Sequence, residues 1–217
     1  MNTSRRATMK AVAAATAAIA CPAVTQAQRV APVEGRNYLR LPHPQPAPAR
    51  RVSIIEFFWY GCPHCYAFEP ALEAWVAQLP ADVDFTRVPV AFKPTEPYLA
   101  HQRIYYALQS LGLVQQMHHK VFDAIQLNHQ RLDRPAEIAA LMAANGVDSL
   151  RFLAAYDAPA TREAAAKASD TALAYGVEEV PSFGVQGRFW TGPALTGSPE
   201  LALVVVDYLA SQVRQGA

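Results

Sequence analysis

The sequence has almost no excess of charge and few cysteines, and these scarcities exclude several classes of protein. Its 217 residues carry 19 basic and 18 acidic side chains, a formal net charge of +1. Proteins that bind nucleic acid or an anionic membrane surface present a dense basic patch, which such a balance does not supply. The apolar run Ala11–Ala20 is too short to span a membrane, which takes roughly 20 helical residues. The hydrophobic content of 52% still suffices for one domain with a sizeable core.

The N-terminus combines positive charge with this short apolar run. Residues 1–27 contain three basic side chains and no acidic one, and small residues follow the run as far as Ala27. This order is typical of a secretory signal peptide, so we expect residues 1–27 to be removed on export. Two special kinds of signal peptide remain possible interpretations. The Arg5-Arg6 pair is similar to a twin-arginine signal, and Cys21 is a candidate for lipid attachment.

The cysteines are too few and too close together for a disulfide scaffold. If Cys21 leaves with the signal, only Cys62 and Cys65 remain, separated by two residues. Scaffold disulfides stabilise a protein by closing long loops of chain, and a bridge between these two positions closes almost no loop. The pair is therefore better explained by redox chemistry than by a structural role.

The residues around the pair predict a strand, a turn and then a helix. Residues 52–59 are rich in β-branched and aromatic side chains, which favours a buried strand, and apolar residues recur at helical spacing after Cys65. Pro63 suits the first turn of that helix. Cys62 is then expected at the N-cap, where unpaired N–H groups and the helix dipole favour a thiolate. A protonated His64 would add to this effect.

The expected asymmetry between the two thiols predicts a mechanism. The thiolate is the nucleophile in disulfide exchange, so Cys62 is the candidate reactive thiol. Cys65 lies one turn deeper and is the candidate resolving thiol. In the oxidised protein, a substrate thiolate would attack Cys62 to form a mixed disulfide, and a second substrate thiol would then displace Cys62.

A known family resembles this segment. Residues 56–69 read EFFWYGCPHCYAFE, which is similar to the active-site segment of the DsbA family of periplasmic thiol:disulfide oxidases. The resemblance implies an α/β, thioredoxin-like fold with an inserted α-helical domain, and a disulfide donated by Cys62 and Cys65. It further implies a periplasmic monomer that needs no cofactor, acts on reduced exported proteins and is reoxidised by a DsbB-like membrane protein. The departure is at residues 59–61, Trp-Tyr-Gly, where some relatives carry other aromatic residues.

Two further candidate positions gain a role from this resemblance. Residues 176–185 read GVEEVPSFGV, and Pro181 stands at the entrance of a predicted strand, where an ordinary trans bond is the simpler interpretation. The family instead implies a cis Pro181 beside the cysteines, with the backbone of Val180 binding an extended substrate peptide. Glu56 lies in an apolar strand, where an acid is costly unless it has a partner. The family implies a buried acid that moves the proton of Cys65, and an exposed strand position is the alternative.

The rest of the chain predicts a discontinuous domain. Residues 36–97 and 158–215 contain both motifs and are expected to form the thioredoxin-like domain, whereas residues 98–157 show helical spacing throughout. We therefore expect a helical insertion over residues 98–157.

Single residues predict where the helices of this insertion begin and end. Gly112 and Gly146 are expected to end helices, and Asp133 to cap the start of one. The proline-rich residues 42–49 are expected to be an extended connection.

Two other function classes share parts of this pattern. A disulfide isomerase or reductase would use the same cysteine pair, but isomerases usually add a dimerisation domain, for which residues 28–50 are too short. A thiol-based zinc module would need four ligands. The remaining histidines of the helical segment do not supply them, because the adjacent His118 and His119 cannot point the same way. No metal site is therefore predicted.

Overall fold

A mixed five-stranded sheet and eight helices organise residues 31–216, the part of the chain that the computed structural model describes. The signal peptide predicted for residues 1–27 lies outside this range. The strands are β1 (Leu39–Arg40), β2 (Val52–Phe58), β3 (Val83–Pro89), β4 (Ser182–Val185) and β5 (Phe189–Thr191). The helices are α1 (Pro63–Val76), α2 (Tyr98–Ser110), α3 (Val114–Gln126), α4 (Pro135–Ala144), α5 (Ser149–Tyr156), α6 (Pro159–Ala174), α7 (Pro193–Thr196) and α8 (Pro199–Arg214).

Strand β2 holds the sheet together and leads into the cysteine pair. The strand order is β1-β5-β4-β2-β3, with β2 parallel to β3 and antiparallel to β4. None of the residues of β2 is exposed, which agrees with the continuous apolar run from which a buried strand was predicted. The pairing places Glu56 beside Arg87 of β3 and beside Phe183 of β4. This polar residue therefore lies inside the sheet, close to the point where the chain leaves it.

Four helices, α2 to α5, lie within the segment that was predicted to be helical. Gly112 and Gly146 follow the ends of α2 and α4 with φ of +70° and +74°, so both predicted helix ends are confirmed. A left-handed residue after a helix is most easily a glycine, which has no Cβ to clash. The division of the chain into an insertion and a discontinuous domain stays a prediction.

The predicted cap at Asp133 is wrong. Helix α4 has Arg134 as its N-cap, with extended backbone and no side-chain cap, and Pro135 opens the helix. A residue before proline is forced into an extended conformation, so the boundary falls at Arg134. The carboxylate of Asp133 instead accepts a hydrogen bond from Arg131 at 2.7 Å.

The largest cluster of buried residues in the described range joins the sheet to helices α2–α5. Phe58, Tyr60, Cys62 and Cys65 belong to this cluster together with apolar side chains from all four helices. A second cluster joins strands β2, β4 and β5 to helices α1 and α8. The cysteine pair thus lies where the helical segment packs against the end of β2. Across residues 31–216, no helix has both the length and the apolar character needed to cross a bilayer.

Candidate active site

Cys62 stands at the N-terminus of helix α1, as predicted. It is the N-cap residue, with extended backbone at φ −87° and ψ 115°, and Pro63 occupies the first turn. Its Sγ accepts a hydrogen bond from the backbone N–H of Cys65 at 3.4 Å. The first N–H groups of a helix have no partner within it and lie at the positive end of its dipole. The sulfur is therefore placed where a negative charge is stabilised.

The two cysteines, both free thiols in this structure, have opposite pKa changes. The pKa of Cys62 is lowered from 9.0 to about 6. The largest cause is a hydrogen bond from the Cys65 side chain, followed by hydrogen bonds from backbone N–H groups and the charge of His64, and burial opposes these effects. Cys65 is 1% exposed, and burial raises the pKa of its thiol well above the ordinary value. At neutral pH, Cys62 is thus mainly a thiolate and Cys65 a neutral thiol.

The loop before strand β4 faces the reactive thiol. The Val180–Pro181 peptide bond is cis, which confirms the conformation predicted for Pro181. Sγ of Cys62 lies 3.4 Å from the carbonyl oxygen of Val180, a hydrogen bond that Cys62 donates in its protonated form. Beside this contact lies a groove of about 280 Å³, whose lining includes His64, Glu179, Val180, Pro181, Pro193 and Ser198. The nucleophile and the loop proposed to bind substrate therefore share one surface.

Glu56 is fully buried, so the alternative of an exposed strand position is wrong. Its Oε2 accepts a hydrogen bond from Nε of Arg87 at 2.8 Å, and the same guanidinium donates to Oε2 of Glu69 at 3.0 Å. Burial, followed by the charge of Glu69, raises the pKa of the Glu56 carboxyl to about 8, although Arg87 opposes this change. Among the described residues no hydrogen bond joins Glu56 to Cys65, and the two interact through charge alone.

The structure adds a chain of buried polar side chains that the sequence analysis missed. Nδ1 of His118 lies 2.8 Å from the hydroxyl of Tyr60, and Nε2 of His118 lies 3.5 Å from Oε1 of Glu69. Burial, then the charge of Arg87, lowers the pKa of His118 well below its ordinary value, so its imidazole is neutral. The chain therefore runs from Tyr60 through His118, Glu69 and Arg87 to Glu56, whose charge acts on Cys65.

Trp59, in the segment just before Cys62, packs in a group of aromatic rings. The ring of Trp59 stacks on Tyr98 with centroids 4.6 Å apart, and Phe92 meets Tyr98 edge-on. A Cβ at Gly61 would lie 2.3 Å from the ring of Trp59. Glycine is thus required at this position because the neighbouring indole already fills the space, which explains why Trp59 and Gly61 occur together.

The fold and the site define a class of protein. A Cys-Pro-His-Cys segment opens a helix at the end of a central strand, and a cis-proline loop faces its first cysteine. This combination, on a mixed sheet, is that of a thioredoxin-like thiol–disulfide protein.

Comparisons with known proteins identify the family. The profile of the DSBA-like thioredoxin domain matches residues 53–202. A thiol:disulfide interchange protein DsbA from Burkholderia cepacia is 39% identical over 193 residues, which cover 88% of this chain and 90% of that protein. The crystal structure of Pseudomonas aeruginosa DsbA superposes with a TM-score of 0.81 at 37% identity and covers 85% of this chain and 95% of that one. The chain therefore belongs to the DsbA-like family, as the resemblance of residues 56–69 implied.

A DsbA from Xylella fastidiosa gives a similar result at lower identity. Its crystal structure superposes with a TM-score of 0.78 at 32% identity, covering 85% of this chain and 98% of that one. The match extends over nearly the whole of each relative, so the thioredoxin-like fold prediction is confirmed along with the family.

Proposed function

We propose that this DsbA-family thiol:disulfide oxidoreductase donates a Cys62–Cys65 disulfide to reduced, newly exported proteins. The observation that carries the proposal is the asymmetry of the pair. Helix α1 stabilises the Cys62 thiolate, whereas Cys65 is buried and neutral. A stabilised thiolate favours the reduced form of the enzyme, so its disulfide is a strong oxidant.

The reaction takes two exchange steps. A substrate thiolate attacks Sγ of Cys62 in the oxidised enzyme, the Cys62–Cys65 bond breaks, and Cys65 leaves as a thiolate that takes up a proton. A second substrate thiolate then attacks the substrate sulfur of the mixed disulfide, and Cys62 leaves as a thiolate. The substrate loses two electrons and gains a disulfide, and the enzyme pair is reduced.

Glu56 is proposed as the proton donor and acceptor for Cys65. A carboxyl whose pKa lies near 8 exchanges protons readily at neutral pH, which is the condition that general acid–base catalysis requires. Because no direct hydrogen bond joins the two groups, the proton would pass through an intervening water. Arg87 keeps the carboxyl in place through the 2.8 Å hydrogen bond.

Val180 and Pro181 are proposed to bind the substrate backbone. The Val180 carbonyl is already within hydrogen-bond distance of Cys62, so a peptide held by the backbone of Val180 would place its cysteine at the reactive sulfur. Recognition through main-chain groups suits an enzyme with many clients, since it does not depend on their side chains.

The proposed setting is the periplasm. Residues 1–27 would direct export, and a DsbB-like membrane protein would reoxidise the reduced pair. The protein would act as a monomer. Residues 36–97 and 158–215 would form its thioredoxin-like domain, and residues 98–157 a helical insertion.

The test is the equilibrium of the cysteine pair with glutathione. We expect a reduction potential well above that of structural disulfides, which lies below roughly −300 mV. Cys65→Ala should attack the disulfides of oxidised client proteins through its Cys62 thiolate and accumulate mixed disulfides with them, because no Cys65 thiol is present to release Cys62. Cys62→Ser should form none. A potential near or below the structural value would contradict the oxidase assignment and favour a reductase.

A further inference from the structure

Three metal-ligating side chains meet on the outside of the buried polar chain. Glu69 and Glu73 are four residues apart on helix α1, and His119 lies on helix α3. One oxygen of each carboxylate and one ring nitrogen of His119 all lie within 4.8 Å of one another. Residues at i and i+4 share a helix face, so the two carboxylates point the same way and repel each other in the absence of a cation.

Glu69 contributes an oxygen that has no hydrogen bond. Its Oε2 is occupied by Arg87 at 3.0 Å, but Oε1 is buried without a hydrogen-bond partner. Nε2 of His118, which also lacks a hydrogen-bond partner, lies 3.5 Å from this oxygen and links Glu69 to the buried polar chain. A buried carboxylate oxygen without a partner is costly, and a bound cation would satisfy it.

The two helices hold the cluster in place and leave it open to solvent. The hydroxyl of Tyr66 on α1 donates to the carboxylate of Asp123 on α3 at 2.8 Å, which fixes the two helices together. The side chains of Glu73 and His119 are 49% and 41% exposed, with 3.6 Å between their Oε2 and Nε2 atoms. Glu73 and His119 thus offer ligand atoms at the surface, next to the buried carboxylate of Glu69.

We propose that Glu69, Glu73 and His119 form a binding site for a divalent transition-metal ion, distinct from the cysteine pair. Two carboxylate oxygens and one imidazole nitrogen are ligands that zinc uses, and three protein ligands leave a position open for water. Zinc–ligand distances of about 2.0–2.2 Å put tetrahedral ligand atoms about 3.4 Å apart. The three ligand atoms, which lie within 4.8 Å of one another, would reach this separation by rotation of the two exposed side chains. Histidine spacing did not indicate this site, because its ligands come from two helices.

The experiment is calorimetric titration of Zn²⁺ into the protein in its Cys62–Cys65 disulfide form, with any remaining thiol alkylated. The disulfide keeps zinc away from the reactive pair. We expect one equivalent to bind, and Glu73→Gln and His119→Gln each to weaken binding by about tenfold or more. His43→Gln, which removes another exposed histidine, should bind zinc like the unmodified protein.

Thermal unfolding provides a second readout. A ligand that binds only the folded state raises the unfolding temperature, so zinc should raise it in the unmodified protein and not in His119→Gln. Absence of stoichiometric binding to the disulfide form, or an affinity in Glu73→Gln and His119→Gln equal to that of the unmodified protein, would overturn the site. Neither result would affect the oxidase proposal, which is tested with glutathione in the presence of a chelator.

Discussion

The titration of Cys62 in the reduced protein provides the most direct test of the site. The structure places its pKa at about 6 instead of 9.0, chiefly because Cys65 donates hydrogen bonds to its sulfur. Stepwise alkalinisation of the reduced protein should therefore reveal a thiolate with a midpoint near pH 6. Cys65→Ala removes the largest contribution and should raise this midpoint. His64→Gln removes only a charge effect and should raise it less.

The pKa difference sets the size of the redox effect. The interval from 9.0 to about 6 corresponds to about 4 kcal/mol of preference for the thiolate. A lowered pKa stabilises the reduced form fully above pH 9, and this stabilisation is lost as the pH falls through 6. At pH 7 an ordinary thiol would be almost fully protonated, whereas Cys62 is about one pH unit above its pKa. The stabilisation that remains is therefore about 1.4 kcal/mol. For a two-electron couple this raises the potential by about 30 mV.

The assay follows thiolate absorbance in the ultraviolet, with Cys62→Ser as the blank. The rate of alkylation by iodoacetamide, measured over the same pH range, should give the same midpoint, since only the thiolate reacts. A midpoint at or above about 8.5, the value of an unperturbed cysteine, would refute the argument that the start of helix α1 activates this thiol.

Three further predictions concern the surroundings of the pair, and each is measured as the free energy of unfolding in urea. Arg87→Met leaves two buried carboxyl groups without their cation and should cost about 3–5 kcal/mol, with a larger loss at alkaline pH, where both must ionise. An unchanged stability would show that the guanidinium is dispensable. Tyr60→Phe removes the hydroxyl that contacts Nδ1 of His118, leaves that buried nitrogen without a partner, and should cost about 1–3 kcal/mol. Gly61→Ala forces a methyl group against Trp59 and should cost about 1–3 kcal/mol. The additional cost of Gly61→Ala should be smaller when it is introduced into Trp59→Ala, in which the indole ring is absent.

The cysteine site and most of the fold could be predicted because their signals are local. The apolar run of β2, the proline after Cys62 and the helical spacing that follows lie within one continuous segment. The cis proline is different, because proline at a strand entrance is ordinarily trans. The prediction for Pro181 depended on the resemblance of residues 56–69 to a family, in which a proline at this strand entrance is cis, and not on a local preference for the cis bond.

The buried ionic cluster could not be predicted because it depends on how the strands pair. Arg87 lies in a strand whose other residues are mostly half-buried, and only its parallel pairing with β2 places it opposite Glu56. Glu69 did carry a local signal. It lies four residues after Cys65 on a helix face that also buries Phe68 and Leu72, which makes it a buried acid by position.

The contact between Cys62 and Val180 links positions 118 residues apart in the chain. A chain synthesised from its N-terminus thus produces the complete Cys-Pro-His-Cys segment long before the loop that faces it. Strand β4 must pair with β2 before the two surfaces meet, and such long-range pairing forms late and slowly compared with a helix. A chain that has not yet folded therefore carries both thiols but lacks, beside them, the loop that we propose to hold the client. The ability to oxidise other proteins is acquired only when the enzyme has completed its own folding.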